Sequence, residues 1–173
     1  MGLPAAQRTV QRLVDEHYAA LYRYAYRLTG SADAAGDLTQ ETFCKAQAQW
    51  SQLRDPDRAK PWLFSILRNA YLHKLRADIH HREVPLDDTA GMEEPIDSWP
   101  DIEPERLQAA LNDLPEGFRT PLILFYFGEF SYRDIAEQMA LPIGTVMSRL
   151  ARAKAFLRNR LQPVERAVRA AED

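Results

Sequence analysis

Between Ala77 and Glu105 the chain carries ten carboxylate side chains and a single basic one, Arg82, together with Pro85, Pro95, Pro100 and Pro104. Little apolar periodicity runs through this stretch, its prolines break helices and central strands, and its charges repel one another. It reads as a linker, and it divides the 173 residues into two ends that must each bury their own apolar side chains. Those ends are mildly basic, with 11 cationic against 7 anionic residues over 1–76 and 10 against 8 over 106–173. The formal charge of −3 is therefore an average over an acidic middle and two cationic flanks. The plain role of the acidity is solubility for a segment that cannot fold alone; the functional one is occupation of a positively charged channel or mimicry of nucleic acid.

Both flanks have the periodicity of helices. Leu13, Val14, Tyr18, Leu21, Tyr22, Ala25 and Leu28 recur at steps of three and four, which makes one apolar face of a long helix ended by Gly30. Ser31 suits the N-cap of a second helix running to about Trp50, with Leu38, Phe43, Ala46 and Trp50 inward. A third begins near Pro61, with Trp62, Ile66, Leu67, Ala70 and Leu75 as its buried side. Beyond the linker, Leu107, Leu111 and Leu114 mark a short helix, Pro115–Glu116–Gly117 a turn, and PLILFYF at 121–127 a further helix by the company it keeps. The expected fold is all-α: two small helical domains, 8–77 and 105–162, joined by an acidic flexible linker over 78–104.

Residues 131–157, SYRDIAEQMALPIGTVMSRLARAKAFL, carry the first functional motif. Ser131 caps a short helix holding Ile135, Ala136 and Met139, Ala140–Leu141–Pro142 turns the chain, and a second helix points Val146, Leu150, Ala153 and Leu157 inward. Two helices so spaced form a helix-turn-helix, whose second member enters the DNA major groove. Thr145, Ser148, Arg149, Arg152 and Lys154 lie away from the buried stripe, where hydroxyls suit phosphates and arginine suits a guanine edge. A helical hairpin with a solvated basic face is the plain alternative.

Two further patterns lie in the first end. Asp37, Gln40 and Glu41 of DLTQETF stand at i, i+3 and i+4 and share one helix face. Like charges four apart cost stability, which a partner's Arg or Lys would relieve, although such a face is often only solvated surface. From Trp50 to Arg76, aromatic residues interleave with Arg54, Arg58, Lys60, Arg68, Lys74 and Arg76, the pairing that binds single-stranded nucleic acid. Trp50 and Trp62 read as core; Phe64, Lys60 and Asn69 read as the contact residues.

Taken together, DLTQETF, WLFSILRNAYLHKLR and LPEGFRTPLILFYFGEFSYRDIAEQMALPIGTVMSRLARAKAFL, in that order from about Leu13 to Leu161, resemble a bacterial RNA polymerase sigma factor of the sigma-70 family, in its extracytoplasmic-function (ECF) group. The resemblance implies that Asp37, Gln40 and Glu41 dock on core polymerase. It implies that Arg54, Arg58, Lys60, Phe64 and Asn69 engage the single-stranded minus-10 element, and that Thr145, Ser148, Arg149 and Arg152 face the double-stranded minus-35 element. The acidic segment falls where the family threads a connector through the polymerase cleft. Core RNA polymerase, promoter DNA and an anti-sigma factor are the implied partners.

Three departures from the family's pattern stand out. RDPDRAKP precedes Trp62 where many members have a Gly-Asp-Ser-Ser-Phe-like stretch, Met147 stands where many carry Lys or Arg, and Ala140 replaces the common turn glycine. The alternatives are a decoy that titrates an anti-sigma protein, or a stand-alone helix-turn-helix regulator, which leaves DLTQETF unexplained. No cofactor or metal is expected, because Cys44 is the one cysteine and His73, His80 and His81 lack partners at ligand spacing. The expectation is no catalysis. No apolar run approaches the ~18 residues of a membrane span, and a cytoplasmic location is expected.

Overall fold

The computed structural model describes residues 5–78 and 102–161, so most of the acidic linker lies outside the described residues. Every regular element among those residues is helical. Helix α1 runs Ala5–Thr29, α2 Ala32–Ala48 and α3 Ala59–Ala77; α4 runs Pro104–Asp113, α5 Glu116–Tyr126, α6 Tyr132–Met139 and α7 Ile143–Leu161.

The first three helices close on one another through stripes set by sequence. In α1, Leu21, Tyr24, Ala25 and Leu28 are all buried, the face that a 3.6-residue period dictates. Gly30, at φ +68, allows the reversal that ends α1, and the Ser31 side chain accepts from Ala34 N at 3.3 Å to start α2. In α2 the buried set includes two hydroxyl residues, Thr39 and Thr42. They donate to the carbonyls of Ala35 and Leu38, each at 2.7 Å, and so stay inside without an unpaired polar atom. Two short 3-10 turns, Trp50–Gln52 and Pro56–Arg58, carry the chain to α3.

In the second end, PLILFYF is helical as read. The expected turn at 115–117 is shorter: Pro115 is the N-cap of α5, and Glu116 and Gly117 are already in the helix. Helix α6 begins with a capping box in which Ser131 and Asp134 bond each other's backbone N–H. It ends at Ala140, left-handed at φ 52, so an alanine occupies a conformation that glycine would take without strain. The buried stripe of α7 is Val146, Leu150, Ala153 and Leu157, the four residues read from the sequence.

The two ends pack together, which their separate periodicities do not foretell. The last carbonyls of α1 have no partner within their own helix. Arg119, almost wholly buried in α5, donates from Nη1 to Leu28 O at 3.1 Å, and Gln108 of α4 donates to Arg27 O at 3.2 Å. The Arg27 guanidinium in turn donates to Gln108 Oε1 at 3.2 Å. The C-terminus of α1 is thus capped from across the chain, and cations at that end also meet the negative pole of the helix.

Candidate nucleic-acid interface

On α2, Asp37 and Gln40 are exposed on the outward face, while Glu41 is half-buried beside them. The chain itself neutralises one carboxylate of this face. Glu41 pairs with Lys45 at 2.7 Å and with Lys74 of α3 at 3.0 Å, and those ammonium groups hold its carboxyl below the usual range. The repulsion at i, i+4 is therefore relieved internally, so it is no argument by itself for a partner's cation.

The N-terminal part of α3 shows a larger departure from expectation. Phe64, read as a contact residue, is fully buried, whereas Trp62 and Trp50, read as core, are half-buried. The Phe64 ring stacks on Tyr24 with centroids 4.8 Å apart, and Phe130, in the turn between α5 and α6, meets it edge-on at 5.0 Å. Burial pushes the Tyr24 phenol up from its ordinary range. Lys60 donates from Nζ to Gly128 O at 2.7 Å and lies 5.0 Å from the centre of the Phe130 ring. Exposed Arg58 reaches Glu137 of α6 at 2.9 Å, and Gln138 donates to Pro61 O at 3.0 Å. Arg54 is exposed and lines the neighbouring cleft of about 430 Å³ with Trp62, Ser65 and Glu137.

The structure thus gathers Arg54, Arg58, Lys60 and Phe64 at one end of α3, and it covers the last two with the α5–α6 turn. Asn69 does not join them. It is exposed nine residues past Lys60, about 13 Å further along the helix.

On α7 the exposed residues of the first turns are Ile143, Gly144, Met147 and Ser148, with Thr145 and Arg152 half-buried beside them. Arg149, read as facing outward to the minus-35 element, instead turns back onto α5. Pro121 of α5 has no N–H to give the carbonyl four residues back, Gly117 O. Arg149 donates to that carbonyl from Nη1 at 3.2 Å, and its guanidinium lies 5.9 Å from the centre of the Phe118 ring. Glycine at 117 leaves room for this, since a Cβ there would come within 3.2 Å of the same nitrogen. Lys154 lies against Phe125 and Tyr126, 5.6 and 5.5 Å from their ring centres.

Sequence reasoning missed Arg119 and Gln108, and it read Arg68 only as one of the cations between Trp50 and Arg76, whereas Arg68 pairs with Glu116 at 3.5 Å across the two ends. Their signal is weak, for each is a long polar residue whose partner lies in a distant helix. Among the described residues no group of three or more His, Cys, Asp or Glu is placed to hold a metal ion, and no helix is long and apolar enough to cross a membrane.

A three-helix unit with an acidic outer face, followed by a capped helix-turn-helix, defines a helical protein of DNA-binding type. Comparison with known proteins narrows the class. Residues 13–78 match the Sigma-70 region 2 model and residues 105–157 the Sigma-70, region 4 model. The chain is 35% identical over 168 residues to the ECF RNA polymerase sigma factor SigL of Mycobacterium tuberculosis, covering 93% of this chain and 94% of that one. It is 36% identical over 143 residues to the ECF RNA polymerase sigma factor EcfG of Rhodopseudomonas palustris, covering 80% and 77%. Among solved structures, RpoE of Bartonella quintana, crystallised with the anti-sigma factor NepR, superposes with a TM-score of 0.70 at 29% identity, covering 87% of this chain and 95% of that one. The chain belongs to the sigma-70 family of RNA polymerase sigma factors, in the ECF group, and it directs promoter-specific transcription initiation.

Proposed function

We propose a division of labour among the residues of this sigma factor. Asp37 and Gln40, with Glu41 held beside them by Lys45 and Lys74, form the face that docks on core polymerase. Arg54, Arg58, Lys60 and Phe64 capture the minus-10 strand, with Asn69 further along the same helix. Thr145, Ser148 and Arg152 meet the minus-35 duplex. Arg149 positions α7 from behind rather than touching bases, although its charge adds to the field that draws DNA in. The two domains are residues 8–77 and 105–162, joined by the acidic linker. The protein works in the cytoplasm, has no catalytic step of its own, and is held in check by an anti-sigma factor, as RpoE is found bound to NepR.

One observation supports the reading most strongly. The helix-turn-helix stands complete, capped at Ser131 and turned at Ala140, with the start of α7 open to a groove. A corollary concerns α3. Phe64 and Lys60 engage a DNA strand only once the Gly128–Phe130 turn has withdrawn from them. Run-off transcription with purified core polymerase and genomic promoter fragments tests the assignment. Initiation from a defined set of promoters is expected, and Asp37→Lys should reduce it at least tenfold while circular dichroism stays unchanged. If Asp37→Lys and Gln40→Ala both leave co-purification with core polymerase intact, the docking face lies elsewhere.

A further inference from the structure

Three large hydrophobic side chains are exposed among the described residues: Tyr18, Ile143 and Met147, at 43%, 49% and 51%. Tyr18 stacks on Tyr22 and Phe43 with centroids 6.3 and 6.2 Å apart, so it is the rim of the α1–α2 packing. Ile143 and Met147 have a different setting. They stand one turn apart on one flank of α7, at the end that a helix-turn-helix inserts into the major groove. Beside them run Gly144, where a Cβ would meet nothing within 4 Å, and exposed Ser148. Arg152 lies on the far flank. The leading face of the helix therefore has an apolar edge, a flat small-residue centre and a cationic edge.

The helix says which partner this apolar edge meets. Its sequence, IGTVMSRLARAKAFLRNRL, holds five basic residues and no acidic one, a charge pattern that matches nucleic acid. Base edges in the major groove present hydrogen-bond donors and acceptors and a single kind of apolar group, the C5-methyl of thymine. Pressed against a donor or acceptor, Ile143 or Met147 would strip water from it and return nothing. Against a methyl group both partners lose only water. We propose that Ile143 and Met147 read thymine methyl groups in the upstream promoter element, so that this chain selects thymine at one or two positions by apolar contact.

The inference rests on α7 lying in the major groove, as proposed above. The two side chains divide the task by their stiffness. Isoleucine is branched at Cβ and holds one rotamer in a helix, whereas methionine has a flexible thioether that adapts to the groove.

The test uses the full chain with core polymerase and a duplex promoter library randomised at the upstream element. At each position where selection returns thymine, that base is replaced by deoxyuridine, which lacks only the methyl group. Wild-type holoenzyme is expected to lose initiation by roughly three- to tenfold at one or two positions. The double variant Ile143→Ala, Met147→Ala should initiate more weakly and treat thymine and deoxyuridine alike. Met147→Gln, which keeps the side-chain length, provides a second variant should the double one melt early. A selection that returns no thymine, deoxyuridine without effect, or an undiminished deoxyuridine penalty in the variants would each overturn the proposal. Failure to initiate anywhere in the library would instead overturn the residue assignments for α7 on which it rests.

Discussion

The two candidate DNA-reading surfaces stand in opposite states. The start of α7 is open: its buried stripe is served by α5 and α6, and Ile143, Gly144, Met147 and Ser148 face outward. The start of α3 is closed, with Phe64 held between Tyr24 and Phe130 and Lys60 tied to Gly128 O. Composition explains the contrast. The buried residues of α7, Val146, Leu150, Ala153 and Leu157, fall within about 60° of its circumference and leave a wide free face. Those at the start of α3, Ala59, Leu63, Phe64 and Leu67, spread over about 140°, so a further element is drawn over that end. A surface of the second kind works only if its cover moves, and here the cover belongs to the same unit that carries α7.

The largest expected effect tests that contrast directly. Phe64→Ala should cost about 3–5 kcal/mol of stability, because it empties a site enclosed by two rings. Ser148→Ala, on the open surface, should change stability by no more than about 0.5 kcal/mol while weakening binding to the upstream duplex. Urea unfolding beside duplex titrations gives both numbers. Phe130→Ala should separate the two states further. It destabilises the protein as well, yet it should raise binding of a single-stranded minus-10 oligonucleotide severalfold by uncovering Phe64. Equal unfolding midpoints for Phe64→Ala and wild type would show that α3 is not covered in solution.

The second effect is smaller and concerns Arg149, an arginine of α7 that faces back onto α5. Arg149→Ala leaves Gly117 O without its partner and should cost about 1.5–2 kcal/mol, the low end of the range for hydrogen bonds to charged groups. Arg149→Lys keeps the charge but not the planar donor pair, and it should recover less than half of that loss. Binding to the upstream duplex should fall alike for all sequences in both variants, because α7 is displaced as a whole. A change in preference at a single base position, with stability untouched, would return Arg149 to the groove.

How much of the molecule is legible in sequence follows the range of the interactions. The buried stripe of α7 and the Ser131 cap rest on contacts within a few residues, and the pattern shows them directly. So does the αL turn, which forms at Ala140 although glycine is absent. The burial of Phe64 is not legible, because an aromatic residue among cations has the same spacing whether it waits for a base or packs on another ring. The neighbour that decides the matter, Phe130, lies beyond the acidic linker in the other end of the chain. Arg119 and Gln108 are illegible for the same reason. Their partners are main-chain carbonyls at the end of α1, and a carbonyl leaves no mark in a sequence. The acidic face of α2 is legible as a shared face, but the cation that relieves Glu41 comes in part from Lys74 on another helix.

The smallest effect falls on α6, the helix that supports α7 and carries the side chains lying over α3. Its capping box ties Ser131 to Asp134: the hydroxyl donates to Asp134 Oδ2 at 2.6 Å and accepts from Asp134 N at 3.2 Å. That hydroxyl, helped by the Ser131 backbone N–H, holds the Asp134 carboxyl below its usual range. A carboxyl with a lowered folded-state pKa stabilises the fold above its unfolded pKa, and the stabilisation is lost as the pH falls through the folded value. Ser131→Ala should therefore cost about 1 kcal/mol at pH 7, most of it from the cap itself, since Asp134 is exposed and solvent screens its charge. The gap between wild type and variant should stay constant from pH 7 to about 5 and narrow below about pH 4. Because α6 bears Glu137 and Gln138 over the start of α3, the variant should also loosen the cover. Hydrogen exchange at the amides of Ser65 to Arg68 should then quicken together with those at the start of α7. A gap that widens in acid would assign the stabilisation to a group other than Asp134. Exchange that quickens in α7 alone would show that the two surfaces do not share this helix as a common support.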